Sequence, residues 1–550
     1  MIGGRGSMKK SFSRPFRSGS VITKTLSLLG ALVLLMTGSV QAAGHGEALP
    51  DDPQAGTSAE ELTPVTGSAY VTSSDFPDPD VIRVGDTWYM ISTTMYFLPG
   101  GVILRSYDLL NWEVCGHVFD RLEKTAAWQL ENGKNVYAAG MWAASLRYHD
   151  GWFYAVFCAN NSGQTYLFRT QDPTGDWERI GVQGFYHDAS LLFDDDGRVY
   201  IVYGSTQIHL TELKEDLSGP KHGGLNRVIA DSGKSNFLGY EGSHIYKING
   251  YYYLFVIHSL KDRWRRVESC LRSDSLEGEF TGRIIFDDDL GYRGAGIAQG
   301  PVVDSPDGRW WALWMQDMGA VGRTPVLIPL RWEDGWPVAE KAQAQVTSCS
   351  TRPEYEYAPL APEKAPFTDQ NVWEWNHMPD PEGYTADGET LTLTACRVSD
   401  SLPQTRNILT RRAVFPSTRV SVRVDGAGLK NGDTAGLCCL QAEWRYLALR
   451  REGDQLDIVY CENGKAPERL LTLPEGVTEA SLYMDMHFSD RPEDTVKFYG
   501  EAGGKTTAPR SAKMTFDLKH FTGNRPGLFL MAEKDTGGTA TFTDFTFTAK

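Results

Sequence analysis

FPDPDVIRVGDTWYMIST, from Phe76 to Thr93, sets an aspartate between two prolines ahead of an apolar run, a glycine turn and an aromatic strand. Each proline fixes its own φ and pushes the residue before it toward extended geometry, so Asp78 is predicted to be held extended with little backbone freedom. Alone, the stretch is a proline-rich entry into a strand. Its weight comes from recurrence. The same layout returns in MWAASLRYHDGWFYAVFCAN (141–160), YHDASLLFDDDGRVYIVYGS (186–205), YEGSHIYKINGYYYLFVIHS (240–259) and AQGPVVDSPDGRWWALWMQD (298–317).

Every copy carries a turn glycine, Gly85, Gly151, Gly197, Gly250 or Gly308, and the last four stand in DG or NG pairs. Such pairs between alternating apolar runs accept φ > 0 and mark β-hairpins. Hairpins spaced by roughly fifty residues, with further strand-like pieces such as GVILRSYD, TYLFRTQD and SCLRSDSL between them, fit five small antiparallel sheets repeated radially, a five-bladed β-propeller. A β-sandwich built from the same hairpins is the alternative, because periodicity does not by itself establish radial closure. Both are all-β.

Aligning the copies on their turns brings Asp78, Trp142, Asp188, Glu241 and Gln299 into register; in the last four the gap to the turn glycine is identical, and in the first it is shorter. If these positions open the innermost strand of each blade, three acids, an indole and an amide meet at one end of the central channel. Packing explains such a ring poorly, since converging carboxylates repel and cost desolvation.

Glycosidic bond cleavage needs one protonated acid at the leaving oxygen and one carboxylate for water or the sugar carbon. A third acid nearby raises the pKa of the donor by like-charge repulsion, and aromatic faces such as Trp142 suit the C–H face of a sugar. Clustered carboxylates also suit Ca²⁺. Of the acidic runs that raise this option, DDDG at 194–197 is a hairpin turn and DDDLG at 287–291 is expected to be a solvated loop. There is no HExxH, CxxC, EF-hand, P-loop or GxSxG pattern, and GYRGAG at 291–296 lacks the strand–helix context of nucleotide binding.

The 550 residues suffice for two domains, and 15 Trp, 24 Tyr and 24 Phe make the chain unusually aromatic. With a net charge of −16 and no Lys/Arg cluster beyond the first two dozen residues, nothing tracks a phosphate backbone, which argues against nucleic acid as a partner. Those first residues are basic, the apolar run LSLLGALVLLM (26–36) follows, and small residues end in VQAAG. This is the build of a signal peptide over 1–43, too short for a stable membrane span, and predicts export to the periplasm or outside the cell. The eight cysteines show no framework spacing and are expected to be mostly buried thiols, with Cys438 and Cys439 on opposite faces of one strand.

From about residue 64 onward the chain resembles glycoside hydrolase family 43, in particular its β-xylosidase and α-L-arabinofuranosidase members with a C-terminal β-sandwich. The resemblance implies Asp78 of FPDPDVI as general base, Asp188 of YHDASLLFDDDG as the residue that tunes and orients the acid, and Glu241 of YEGSHIYK as general acid, acting with inversion. It implies further that Trp142 of MWAASLRYHDG lines the sugar pocket and that Arg323 of GAVGRTPVLIPLRWEDGWPV contacts substrate; Gln299, in register with the acids, is expected to do the same. Two departures stand out. AQGP at 298–301 replaces the His-Gln-Gly-Gly of many relatives, whose His helps bind a divalent ion; Ala298 cannot ligate a metal by its side chain, so no metal ligand is assigned and no cofactor is expected to be required, with a structural Ca²⁺ as the alternative. Ala143-Ala144 stands where Ala-Pro is usual.

After Ala344 the composition turns proline-rich, predicting a linker over 346–364 between a propeller at 64–345 and a sandwich at 365–550. Short alternating runs such as ETLTLTA, VSVRVDG and AGLCCLQ support the second domain, and WEWNHMPD and LPQTRNILTRR resemble the family's concanavalin-like domain. In relatives such a domain can wall one end of the pocket; a free-standing carbohydrate-binding module is the other option. The functional expectation is an inverting exo-acting glycosidase releasing xylose or L-arabinofuranose from plant polysaccharide or oligosaccharide, with an endo-acting arabinanase or xylanase and a non-catalytic sugar-binding propeller as alternatives.

Overall fold

Each of the five repeats forms the inner hairpin of a four-stranded antiparallel sheet in the computed structural model, which describes residues 62–234, 237–491 and 493–549. The inner strands are Asp80–Val84, Met141–His149, Ser190–Phe193, Glu241–Ile248 and Val302–Asp304, one per blade. At two hairpin turns successive residues lie at positive φ, Asp150 (47°) with Gly151 (78°) and Asn249 (49°) with Gly250 (81°). That geometry matches the right-handed twist of the flanking strands, which is why DG and NG stand there.

Radial closure is visible in the packing. Apolar clusters join blade one to two (Ile91 and Ile103 with Leu146 and Phe157), two to three (Val156 with Leu191 and Ile201), and three to four (Val202 with Leu254). Another joins four, five and one through Phe255, Trp311, Trp314, Val81 and Trp88. The ring therefore has no open sheet face between blades, which excludes the sandwich alternative for these hairpins.

The segment expected to be a linker, 346–364, carries structure of its own. Its first residues form the strand Gln345–Ser350, which pairs antiparallel with Thr63–Ser68 and clasps the two ends of the propeller segment together. Beyond it, Tyr355 and Tyr357 are tied to blade one: Tyr355 bonds to Glu113, and the Tyr357 hydroxyl accepts the Tyr107 amide at 2.8 Å. Proline-rich composition marked the loss of regular strands but not the aromatic contacts that fasten the segment.

The C-terminal part is a sandwich of two eight-stranded sheets. One sheet takes its edge strand from the propeller: Phe97–Leu98 of blade one pairs with Trp375 and Asn376. That same sheet is buried on both faces, so its strand Asp433–Leu440 is buried along its whole length. Cys439 faces the sandwich core and Cys438 faces the propeller-side cluster, on opposite sides of the strand. None of the eight cysteines is paired. At the junction Glu374 of the sandwich accepts from Arg525 and from Arg412 (2.8 Å), and Arg412 in turn donates to the Asp75 carbonyl of the propeller at 3.0 Å. Burial alone would raise that carboxyl, yet the two guanidinium groups hold it below its ordinary value. The sandwich is thus built into the propeller, unlike a free-standing module.

The acidic run 287–289 departs from the solvated loop expected for it. Arg265 pairs with Asp287 (2.5 Å) and Asp289 (2.8 Å), and Asp288 accepts the amides of Asp289 and Leu290. The proposed signal peptide lies outside the described residues. Among those residues no helix is long and apolar enough to cross a membrane.

Candidate active site

Irregular backbone at the start of the inner strands turns the registered side chains toward the axis. Asp78, Asp188 and Gln299 adopt positive φ (51°, 48° and 70°), and Gly242 (62°) follows Glu241. Blades two and four carry register shifts between Met141 and Ala144 and between Glu241 and His244. The extended φ expected of Asp78 is therefore wrong. The carbonyl of Pro77 accepts from Ser92 Oγ (2.7 Å) and the Thr93 amide (3.1 Å), and the Asp78 amide points at Met315 Sδ. These contacts, with those of the carboxylate, hold a conformation that a residue before proline rarely adopts.

Asp78, Trp142, Asp188, Glu241, Gln299 and Arg323 line one cavity, together with Met95, Ala143, Arg266 and Phe521. Arg323 Nη1 donates to Asp78 Oδ1 at 2.8 Å and Gln299 Nε2 to the same oxygen at 3.1 Å. Oδ2 accepts no hydrogen bond from the described residues and remains for water. Gln299 is held in turn by Glu268, which accepts its amide at 2.8 Å. Its side chain is thus engaged with the carboxylate as well as lining the cavity.

Asp188 Oδ2 accepts the Gly242 amide at 3.2 Å, tying it to the residue after Glu241. Burial, then the charge of Asp78, pushes Asp188 up to about 7. Burial, then the charge of Asp188, pushes Glu241 up to about 7 as well. Like-charge repulsion thus acts in the expected direction, with desolvation ahead of it. His187 lies between them, 3.6 Å from Asp188 Oδ1 and 4.0 Å from Glu241 Oε2, and burial pulls its imidazole below the ordinary value.

The walls are aromatic. Trp142 stands 5.5 Å from the His187 ring and 5.6 Å from Phe521, whose ring lies 4.4 Å from the Arg323 guanidinium carbon. Phe521 comes from the sandwich, so the pocket is completed across the domain junction. The sequence reading missed Phe521, Met95, Arg266 and His187. His187 could have been flagged as the neighbour of a registered acid; nothing along the chain announces Phe521.

His187, Asp188 and Glu241 bring ligand atoms within 4.8 Å of one another. Deeper in the channel, Ala298 offers no side-chain donor, and Asp80 is already neutralised by Arg147 at 2.7 Å.

A propeller presenting two carboxyls raised to about 7 beside a third carboxylate and an aromatic wall is the arrangement of a glycosidase. Comparison with known proteins agrees. The model of glycosyl hydrolases family 43 matches residues 70–337, and that of the β-xylosidase C-terminal concanavalin A-like domain matches 369–548. A β-xylosidase of Formosa agariphila is 26% identical over 94% of this chain and 96% of its own. A non-reducing end α-L-arabinofuranosidase of Bacteroides ovatus is 29% identical over 48% of this chain and 52% of its own. A solved structure, a bifunctional GH43-CE protein from Bacteroides eggerthii, superposes with a TM-score of 0.79 at 35% identity, covering 89% of this chain and 64% of that one. The chain belongs to glycoside hydrolase family 43 and is a glycosyl hydrolase with a five-bladed propeller and a concanavalin-like sandwich.

Proposed function

We propose that this is an exported, exo-acting, inverting glycosidase that releases xylose or L-arabinofuranose from plant-type glycans such as hemicellulose or pectin side chains. The observation that carries this reading is the wall made by Phe521: a sandwich residue closes the cavity beside Trp142 and the three acids, favouring a single terminal sugar over a chain lying across an open groove. The pentoses come from the activities named for the β-xylosidase and arabinofuranosidase relatives.

In this mechanism Asp78 activates a water through its free Oδ2 for attack on the anomeric carbon. Arg323 and Gln299 fix the orientation of that carboxylate by holding Oδ1. Glu241, protonated near neutrality, donates to the leaving oxygen, while Asp188 keeps it protonated and orients it through the Gly242 amide. Trp142 and Phe521 cover apolar faces of the sugar.

One observation favours the endo-acting alternative. Phe185, Phe237 and Trp264 are 42%, 46% and 54% exposed on loops at the acid end of blades two to four, where a longer chain could rest. Incubation with linear xylo- and arabino-oligosaccharides separates the two. Monosaccharide as sole early product supports exo action, and internal fragments overturn it. Anomeric NMR of the first product tests inversion. Glu241→Gln should abolish hydrolysis of ordinary glycosides while sparing those with good leaving groups; full activity on both would remove Glu241 from its role.

A further inference from the structure

One layer below the acids, the guanidinium of Arg147 touches four of the five blades. It projects from the inner strand of blade two, where Nη1 donates to the Leu146 carbonyl at 2.6 Å. Nη1 also donates to Asp80 Oδ2 of blade one at 2.7 Å. Nε and Nη2 donate to Leu191 O (3.0 Å) and Ser190 Oγ (2.6 Å) of blade three, and Nη2 reaches Ile245 O of blade four at 3.5 Å. Asp80 is fully buried; its Oδ2 also accepts the Leu146 amide at 2.8 Å, and its Oδ1 lies 3.2 Å from His244 Nδ1. Ser190 Oγ closes the network by accepting the Ile245 amide at 3.2 Å.

The partners are placed to matter. Asp80 and Ser190 each stand two residues after an acid, Asp78 and Asp188, and His244 and Ile245 closely follow Glu241. A shift of any of these anchors therefore moves the acid at the head of the same strand. Apolar packing between blades is tolerant of small sliding, whereas a planar guanidinium with fixed donor directions is not. A buried ion pair of this kind adds little net stability after desolvation, so geometric specificity is the better account of its presence.

We infer that Arg147, with Asp80 as its counter-ion, is a positioning residue that sets the mutual spacing of Asp78, Asp188 and Glu241 from beneath. The inference rests on those acids being the reacting groups proposed above. An inactive wild-type protein would sink that reading, whereas an active wild type with an indifferent Arg147 would sink only this one.

The test compares wild type, Arg147→Met and Ser190→Ala on a xylo-oligosaccharide across pH. Misplacement of reacting groups by about 1 Å costs on the order of 100-fold in rate. Arg147→Met should therefore lose about that factor in kcat with KM little changed and with the alkaline limb of its pH profile displaced. Ser190→Ala, which removes one hydroxyl and keeps the charges, should show the same pattern at smaller size and decides the matter if Arg147→Met fails to fold. Wild-type kcat and pH profile in a folded Arg147→Met, or a Ser190→Ala that lowers only the melting temperature, would overturn the inference.

Discussion

The Arg323 guanidinium carbon lies 4.4 Å from the centre of the Phe521 ring while Nη1 of the same group holds Asp78 at 2.8 Å. One arginine thus joins a carboxylate of the propeller to an aromatic residue of the sandwich, and the two domains make one site.

Replacing Phe521 by Ala removes a cavity wall and a cation–π partner without touching an acid. Catalytic efficiency on an aryl β-xyloside or α-arabinofuranoside should fall by about tenfold, the equivalent of one such aromatic contact. The circular dichroism spectrum should be unchanged. An unaltered kcat/KM would show that the sandwich does not shape the site.

Asp75 ties the two halves from behind. It is buried and accepts the amides of Arg323 and Gly523, each at 2.8 Å. Asp75→Ala leaves both donors buried without partners, at about 1–3 kcal/mol each. Thermal unfolding should shift down, and KM should rise because Arg323 and the Phe521 loop lose their common anchor. Asp75→Asn, which keeps one acceptor oxygen, should fall between.

Glu241 is raised to about 7, so kcat/KM should decline as pH rises through that value and the acid loses its proton. Asp188→Asn removes a like charge and should move that alkaline limb to lower pH, alongside any loss in rate. A limb that stays in place would assign the ionisation elsewhere.

The same shift has a stability consequence. In the native state Glu241 keeps a proton that the unfolded chain releases near the ordinary carboxylate value, so its favourable contribution is complete below about 4.5 and lost as pH rises through about 7. Glu241→Gln has no such loss. Its melting temperature relative to wild type should therefore be higher at pH 8 than at pH 4; the opposite trend would contradict the raised pKa.

Chelation should leave both activity and melting temperature unchanged, since Ala298 carries no ligand and Arg147 already neutralises Asp80. Activity lost to EDTA and restored by Ca²⁺ would refute this.

Repetition made much of the molecule legible along the chain. Turn glycines at matched spacing imposed hairpins, and hairpins in register pointed Asp78, Trp142, Asp188, Glu241 and Gln299 at one axis, because the consequence of a repeat is local geometry copied five times. Backbone detail escaped that logic. The positive φ of Asp78 is held where Ser92 and Thr93 bond the Pro77 carbonyl and the Asp78 amide meets Met315, partners beyond the immediate neighbours that outweigh the local preference of a residue before proline.

What the sequence by itself determined was the all-β character, the number of repeats and which position of each would face the channel, all consequences of periodicity and turn chemistry over short range. Only the tertiary structure decided that the ring closes, that Phe97–Leu98 joins the sandwich sheet, that Phe521 completes the pocket and that Arg147 braces four blades. Those features are contacts between residues far apart along the chain. Their energies depend on burial and orientation, which no run of neighbouring residues encodes.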